Sequence, residues 1–228
     1  METIAERLKS VQITIEQSTL DAHRPLNSVK LLAVSKTKPV SDIVQAYEAG
    51  QRLFGENYVQ EGVEKIQMLQ SFDDIEWYFI GPIQSNKTRL VAENFDWVQS
   101  VDRLKIAKRL NDQTRLNKTL NVCIQVNIDD DKNKAGISVN ELHDFAKAIS
   151  ELPNLRLRGL MTIPKANQSQ AEQTASFNHM AALFENLKKQ YSSVDTLSMG
   201  MSGDVQNAIN NASTMVRVGS AIFGLRNK

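Results

Sequence analysis

Short runs rich in β-branched and apolar residues alternate along the chain with longer stretches in which apolar residues recur every three to four positions. The first long stretch, about residues 2–19, places Ile4, Leu8, Val11 and Ile15 on one face and predicts an opening helix. Beyond it the pattern predicts strands over about 29–36, 53–56, 76–81, 97–101, 120–128, 155–163, 196–200 and 215–219. Between them it predicts helices over about 41–49, 57–70, 86–93, 103–115, 139–151, 170–191 and 204–211. Helix start signals sit close by. Ser41 and Asp42 follow Pro39, Asp102 precedes Arg103, and Ser138 precedes Val139. Gly50 stands where the first of these helices should stop.

Eight strands alternating with helices is the count of a (β/α)8 TIM-type barrel, an α/β fold, here with an extra N-terminal helix. Spread over eight units, the chain gives about 28 residues to each, inside the known range for this fold. An open three-layer sheet also alternates strands and helices. The barrel is preferred for its count of eight and for chemistry-bearing residues at several different strand ends. No Pro, Gly or Ser-rich linker marks a boundary, so a single domain over 1–228 is expected.

Composition narrows the function. With 41% hydrophobic and 23% charged residues the chain is an ordinary globular one, which sets aside disordered, collagen-like and low-complexity classes. The 27 Lys and Arg against 26 Asp and Glu leave a net charge of +1. Such a balance gives no reason to expect nucleic acid or anionic membrane as a partner. Cys123 is the sole cysteine, so an intrachain disulfide and a Cys-rich metal site are excluded. His23, His143 and His179 show no ligand spacing, and no metal is expected. Acidic Glu2 and Glu6 stand where a signal peptide needs basic residues, and no run approaches the roughly 18 apolar residues of a membrane helix. A reduced, soluble, cytoplasmic protein is expected.

Two places carry candidate chemistry. On the first strand Lys30, Leu32, Val34 and Lys36 alternate onto one face. If that face is the barrel interior, Lys36 stands at the carboxyl end, where barrel active sites are built. Partial desolvation there would lower its pKa and favour the neutral amine that attacks an aldehyde. The competing reading is a lysine that snorkels to the rim or pairs with Glu56. Lys38, before Pro39, is expected to be solvated. The second place is Met199 to Asp204, between the seventh strand and a helix, together with the Gly219-Ser220 turn after the eighth. Gly200 and Gly203 would let backbone approach a ligand, and Ser202 can cap or bind. Two such turns after strands seven and eight match the phosphate site common in barrels; the alternative is a pair of ordinary helix caps, with Asp204 satisfying the helix dipole. Asn57, Ser85 and Asn86 could line the mouth or cap helices, and Gly159 to Thr162 could line it or pack. Cys123 is expected buried, and His143 and His179 on helix surfaces.

At Leu32-Ala33-Val34-Ser35-Lys36-Thr37, Phe54-Gly55-Glu56-Asn57-Tyr58-Val59-Gln60-Glu61, Phe79-Ile80-Gly81-Pro82-Ile83-Gln84-Ser85-Asn86-Lys87, Leu157-Arg158-Gly159-Leu160-Met161 and Ser198-Met199-Gly200-Met201-Ser202-Gly203-Asp204, the chain resembles the pyridoxal phosphate homeostasis protein family. These are barrels similar to the N-terminal domain of alanine racemase. The resemblance runs from about Leu31 to Gly224. It implies that Lys36 forms an internal aldimine with pyridoxal 5′-phosphate (PLP). It further implies that Ser202, Gly219 and Ser220 hold the phosphate, Arg217 faces the pyridine nitrogen and Asn57 lies beside the ring.

The implied function is a PLP-binding protein of vitamin B6 homeostasis, with consequences for amino- and keto-acid metabolism and without efficient turnover. Its implied partners are PLP and PLP-dependent apoenzymes, and a monomer is expected. Arginine has donors only, so it can meet the ring nitrogen only as an acceptor and leaves it a poor electron sink. The rival is a PLP-dependent amino-acid racemase. Racemases need a second acid/base group on the opposite face, which comes from an additional domain and for which no residues remain here. A third reading is a barrel enzyme whose Lys36 forms a Schiff base with a phosphorylated sugar.

Overall fold

Apolar runs too continuous for one-sided burial become the eight strands of a closed, all-parallel barrel, in which both faces of each strand are covered. The computed structural model describes residues 2–224. In chain order the elements are α1 (Ile4–Asp21), β1 (Lys30–Val34), α2 (Val40–Glu48), β2 (Leu53–Glu56), α3 (Val59–Met68), β3 (Glu76–Phe79), α4 (Thr88–Asn94), β4 (Trp97–Val101), α5 (Leu104–Gln113), β5 (Leu120–Gln125), α6 (Leu142–Ser150), β6 (Leu155–Met161), α7 (Gln170–Gln190), β7 (Thr196–Ser198), α8 (Val205–Asn210), β8 (Met215–Val218) and α9 (Ser220–Phe223). Each strand pairs with the next, and β8 closes on β1 with Leu32 opposite Arg217. The TIM-type α/β fold read from the sequence is the fold observed.

Two apolar layers result from strand alternation. The larger lies between the sheet and the helices and includes Phe54, Phe79, Val98, Val122 and Leu197. The smaller fills the barrel interior with Leu32, Tyr78, Trp97, Cys123, Met161 and Met215. Cys123 is fully buried there, and burial pushes its thiol pKa up, so the single cysteine is an inert packing residue. His143 and His179 are exposed on α6 and α7.

Most departures from the expected strand boundaries lie at the carboxyl ends. The strands expected to reach 36, 81, 128, 163, 200 and 219 end at Val34, Phe79, Gln125, Met161, Ser198 and Val218. Apolar continuity extends past the ladder, but pairing register decides where hydrogen bonding stops, and the surplus residues form the barrel mouth. The start signals divide similarly. Ser138 N and Oγ donate to Glu141 Oε2 at 2.9 and 2.6 Å as expected. Asp102 does not cap α5, whose first flanking residue is Arg103; it accepts the Gly136 N–H at 3.3 Å instead. The Gly219-Ser220 turn leads directly into a short helix, α9, which begins at Ser220.

The opening helix starts with a reciprocal cap between Thr3 and Glu6 and buries Ile4, Leu8 and Ile15. It packs on α8 and α9 outside the barrel, where Arg7 Nε donates to Ile222 O at 2.6 Å. It thereby braces the two short helices that follow β7 and β8.

Candidate functional site

At the carboxyl ends of the strands lies a cavity of about 760 Å³. Lys36, Asn57, Ser202, Arg217, Gly219 and Ser220, all six of the expected residues, border it together with Val34, Ile80, Ile163 and Met201. Lys38 borders it too, so three cationic side chains and no carboxylate line the wall among the described residues. Such a concave, partly apolar site with convergent positive charge suits an anionic aromatic ligand.

Strand parity alone does not deliver Lys36. β1 ends at Val34; Ser35 N–H donates to Gly55 O at 3.0 Å, and Lys38 N–H returns to Ser35 O at 3.1 Å. Lys36 and Thr37 are the centre of that turn. Lys36 is half-buried, while Ser35 turns away and is fully buried, its Oγ donating to Glu56 Oε1 at 2.6 Å. The cation on Glu56 is Lys65, at 2.8 Å. Lys38 departs from expectation: it is half-buried and donates from Nζ to Phe223 O at 2.9 Å. The tight return to Ser35 folds it back over the mouth.

Asn57 leaves β2 before α3 begins and does not cap it; Tyr58 is the flanking residue. Its Oδ1 is buried without a hydrogen-bond partner among the described residues. It is an acceptor left open on a residue of the cavity wall.

Arg217 is fixed from below. Its guanidinium donates to Ser198 Oγ and to Thr162 O, both at 2.8 Å, and Ser198 Oγ donates onward to Gln99 Oε1 at 2.7 Å. Burial pushes its pKa down to about 10, partly offset by Asp204, so it remains a cation at neutral pH. Ser198, Gln99 and the Thr162 carbonyl were not singled out from sequence as Arg217 partners. Inward parity on β7 and β4 was the signal that could have found the first two.

The Gly-Ser turns come together with their hydroxyls, Ser202 Oγ and Ser220 Oγ, 3.5 Å apart. Gly219 packs on the end of β1, where an added Cβ would lie 3.1 Å from Val34 O. The expectation that Gly200 serves a ligand is corrected. Its φ is +100°, an added Cβ would lie 2.5 Å from Ala208 Cβ, and it does not border the cavity; it is needed for packing α8. Asp204 does not cap α8. Its carboxylate accepts from Met201 N–H and from Gln173 Nε2, closing the loop that presents Ser202.

Neither Tyr58, just after β2, nor Tyr78, on β3, lies on the cavity wall. Tyr78 is fully buried in the barrel, stacked on Trp97 and donating to Glu76 Oε2 at 2.8 Å. Tyr58 is 51% exposed and does not border the cavity.

Comparison with known proteins connects this geometry to a family. The family model described as alanine racemase, N-terminal domain, matches residues 15–227. A pyridoxal phosphate homeostasis protein of Pasteurella multocida is 57% identical over 98% of both chains, and one of Escherichia coli is 52% identical over 99% of this chain and 98% of its own. The chain belongs to the pyridoxal phosphate homeostasis protein family. Among solved structures of similar proteins is PipY of Synechococcus elongatus without PLP, with 39% identity, a TM-score of 0.86 and coverage of 97% of this chain and 100% of that one. PipY with PLP bound superimposes with a TM-score of 0.83 at 37% identity, covering 97% of this chain and 100% of that one. An alanine racemase of Corynebacterium glutamicum shares the fold at 16% identity and a TM-score of 0.68; the match covers 97% of this chain and 62% of the racemase. Family membership agrees with the ordered motifs read from the sequence. No helix among the described residues is long and apolar enough to cross a membrane.

Proposed function

We propose that this chain binds pyridoxal 5′-phosphate at the barrel mouth and serves intracellular vitamin B6 balance rather than catalytic turnover. Lys36 holds the cofactor by a reversible covalent bond, Ser202, Gly219 and Ser220 hold its phosphate, Arg217 meets the ring nitrogen and Asn57 lies beside the ring. One observation carries the reading: Arg217, buried and fixed by neutral oxygens, borders a cavity that also holds Lys36 and both Gly-Ser turns. The naming of the relatives as pyridoxal phosphate homeostasis proteins and the PLP bound in PipY support it. The residues fit the group chemically. The cavity offers cations for a phosphate, a lysine for an aldehyde and an unsatisfied Asn57 oxygen for a ring substituent that donates.

When bound, the cofactor supplies an aldehyde for reversible attachment and a ring whose electron-withdrawing power depends on protonation of its nitrogen. Arg217 has only donors and stays charged, so it keeps that nitrogen an acceptor. Tyr78 is committed to Glu76 and Trp97 inside the barrel, which leaves it unsuited to moving a substrate proton. Both features favour a binder and supplier over a racemase. The proposal extends to PLP-dependent apoenzymes as recipients, consequences for amino- and keto-acid metabolism, a cytoplasmic setting and a monomeric state.

The test is an absorption spectrum of the purified holo-protein before and after borohydride, with the labelled peptide mapped. Label on Lys36 is expected; label confined to Lys38 or Lys87 overturns the assignment. Turnover is tested by following α-proton exchange of L- and D-amino acids in deuterium oxide. Lys36-dependent exchange at the roughly 1–10³ s⁻¹ of ordinary enzymes would restore the racemase reading.

A further inference from the structure

Behind the cavity wall lies a buried group of charges that the proposed function does not use. Lys65, on α3 and 5% exposed, donates to three oxygens: Ser35 O at 2.8 Å, Glu56 Oε1 at 2.8 Å and Glu61 Oε1 at 2.6 Å. Ser35 and Thr37 are the chain neighbours of Lys36, and each is tied to one of those carboxylates. Ser35 Oγ donates to Glu56 Oε1 at 2.6 Å, and Thr37 N–H donates to Glu61 Oε1 at 2.6 Å. Thr37 has φ +62°, a left-handed conformation in which a β-branched residue is a rarity. Such a backbone persists where its surroundings hold it, and here the hold comes from Glu61.

We propose that Lys65 is a positioning residue: by gathering Glu56, Glu61 and the Ser35 carbonyl, it locks the turn that presents Lys36 to the cavity. The inference rests on the role proposed for Lys36. An ion pair this deep is a poor device for stability alone, because well-packed apolar residues in its place are often as stable or more so. Burial works to raise the Glu56 carboxyl pKa, and Lys65 and Ser35 work against it. The contacts go to the residues on either side of Lys36, from the end of β2 and from α3, on which Glu61 and Lys65 stand one turn apart. Taken together they fix the direction in which that lysine leaves the chain.

The experiment separates covalent capture from pocket binding. Lys65→Met, Glu61→Ala and Glu61→Gln are compared with the parent chain in two measurements. The first is the rate at which added PLP becomes borohydride-fixable on Lys36. The second is the affinity for pyridoxine 5′-phosphate, an alcohol that carries the same ring and phosphate but cannot bond to a lysine. Lys65→Met and Glu61→Ala should each slow capture about tenfold, the worth of one hydrogen bond to a charged group. Both should leave the affinity for the alcohol within about twofold, since no cavity contact is removed. Glu61→Gln, which retains an oxygen for Thr37 N–H, should recover most of the rate. Should Lys65→Met fail to fold, the Glu61 pair decides alone, because that side chain is 29% exposed and outside the apolar core. Unchanged capture in Glu61→Ala overturns the proposal, and so does an equal loss for both ligands, which is the mark of general structural damage. A parent chain that takes label elsewhere than on Lys36 overturns the underlying reading instead, and does so before any substitution is made.

Discussion

Two arginines stand at opposite ends of the barrel and are treated differently. Arg158, at the amino-terminal end, lies over the Trp97 ring at 4.4 Å, donates to Asn121 Oδ1 at 2.9 Å and forms a paired contact with Asp195. Burial works to raise the Asp195 carboxyl pKa, but bonds from Arg158 and Thr196 overcome it and hold that carboxyl below its usual range. Its charge is answered within the folded chain. Arg217, at the carboxyl-terminal end, is more deeply buried and among the described residues donates to the neutral Ser198 Oγ and Thr162 O. Burial pushes its pKa down to about 10, and the Asp204 carboxylate offsets that only in part. At one end of the barrel the arginine is answered by a carboxylate; at the other, beside the cavity, neutral oxygens alone hold it among the described residues.

The largest effect that can test this contrast is at the mouth. Lys36→Ala should abolish borohydride-fixable PLP while leaving thermal unfolding nearly unchanged, because the side chain is half-buried and outside the apolar core. Retained visible absorbance from a cofactor bonded to another lysine would move the anchor. Next come Ser202→Ala and Ser220→Ala, each expected to weaken PLP binding by about ten- to a hundredfold, or about 1.5–3 kcal/mol per bond to a charged phosphate. Titration with pyridoxal, which lacks the phosphate, should show little further loss in these variants. Equal affinity of the parent chain for the two aldehydes would remove the phosphate site.

Exchanging the arginines sharpens the comparison itself. Arg158→Met should lower the unfolding free energy by about 1–2 kcal/mol, through the lost ring contact and ion pair, without changing PLP affinity. Arg217→Met should weaken PLP binding by about tenfold, since it removes a charge-assisted hydrogen bond. Its unfolding free energy should shift by less than about 1 kcal/mol, as relief of guanidinium burial offsets the two bonds lost. Urea unfolding and equilibrium binding on both variants check this, and a reversal of the two responses would break the contrast.

The smallest effect concerns acid. Glu6, Glu141 and Glu172 accept bonds from the cap residues Thr3, Ser138 and Ser169, which lower their pKa below 4.5. A carboxyl with a lowered folded pKa contributes stability above its unfolded value and loses it as pH falls through the folded one. Glu56 has the opposite sign: burial raises its pKa, so its contribution persists in acid and declines as pH rises through the raised value. On acidification, hydrogen exchange should open the first turns of α1 and α7 before the Ser35–Glu56 contact. The reverse order would show that the Glu56 group, not the caps, is the acid-sensitive part.

Local chemistry by itself determined the eight-strand alternation, the opening helix, the burial of Cys123 and five of the expected residues that border the cavity, Lys36, Asn57, Ser202, Gly219 and Ser220; Arg217 entered through the motif resemblance. Alternation along a strand, apolar spacing along a helix and Gly-Ser pairs at strand ends depend on neighbours a few positions away, and such signals survive in one dimension. Motif resemblance supplied the roles proposed for Lys36 and Arg217 that periodicity left open. The tertiary structure decided where the strands stop, that Gly200 serves α8 rather than a ligand, and that Lys38 folds back onto Phe223 O. It alone joined Arg217 to Ser198 and Thr162, and Lys65 to Ser35 and Glu56. Those contacts span from 9 to 55 residues of chain, and their partners are chosen by barrel closure and burial. A buried donor must find an acceptor once water is gone, and only the closed barrel settles which one is within reach.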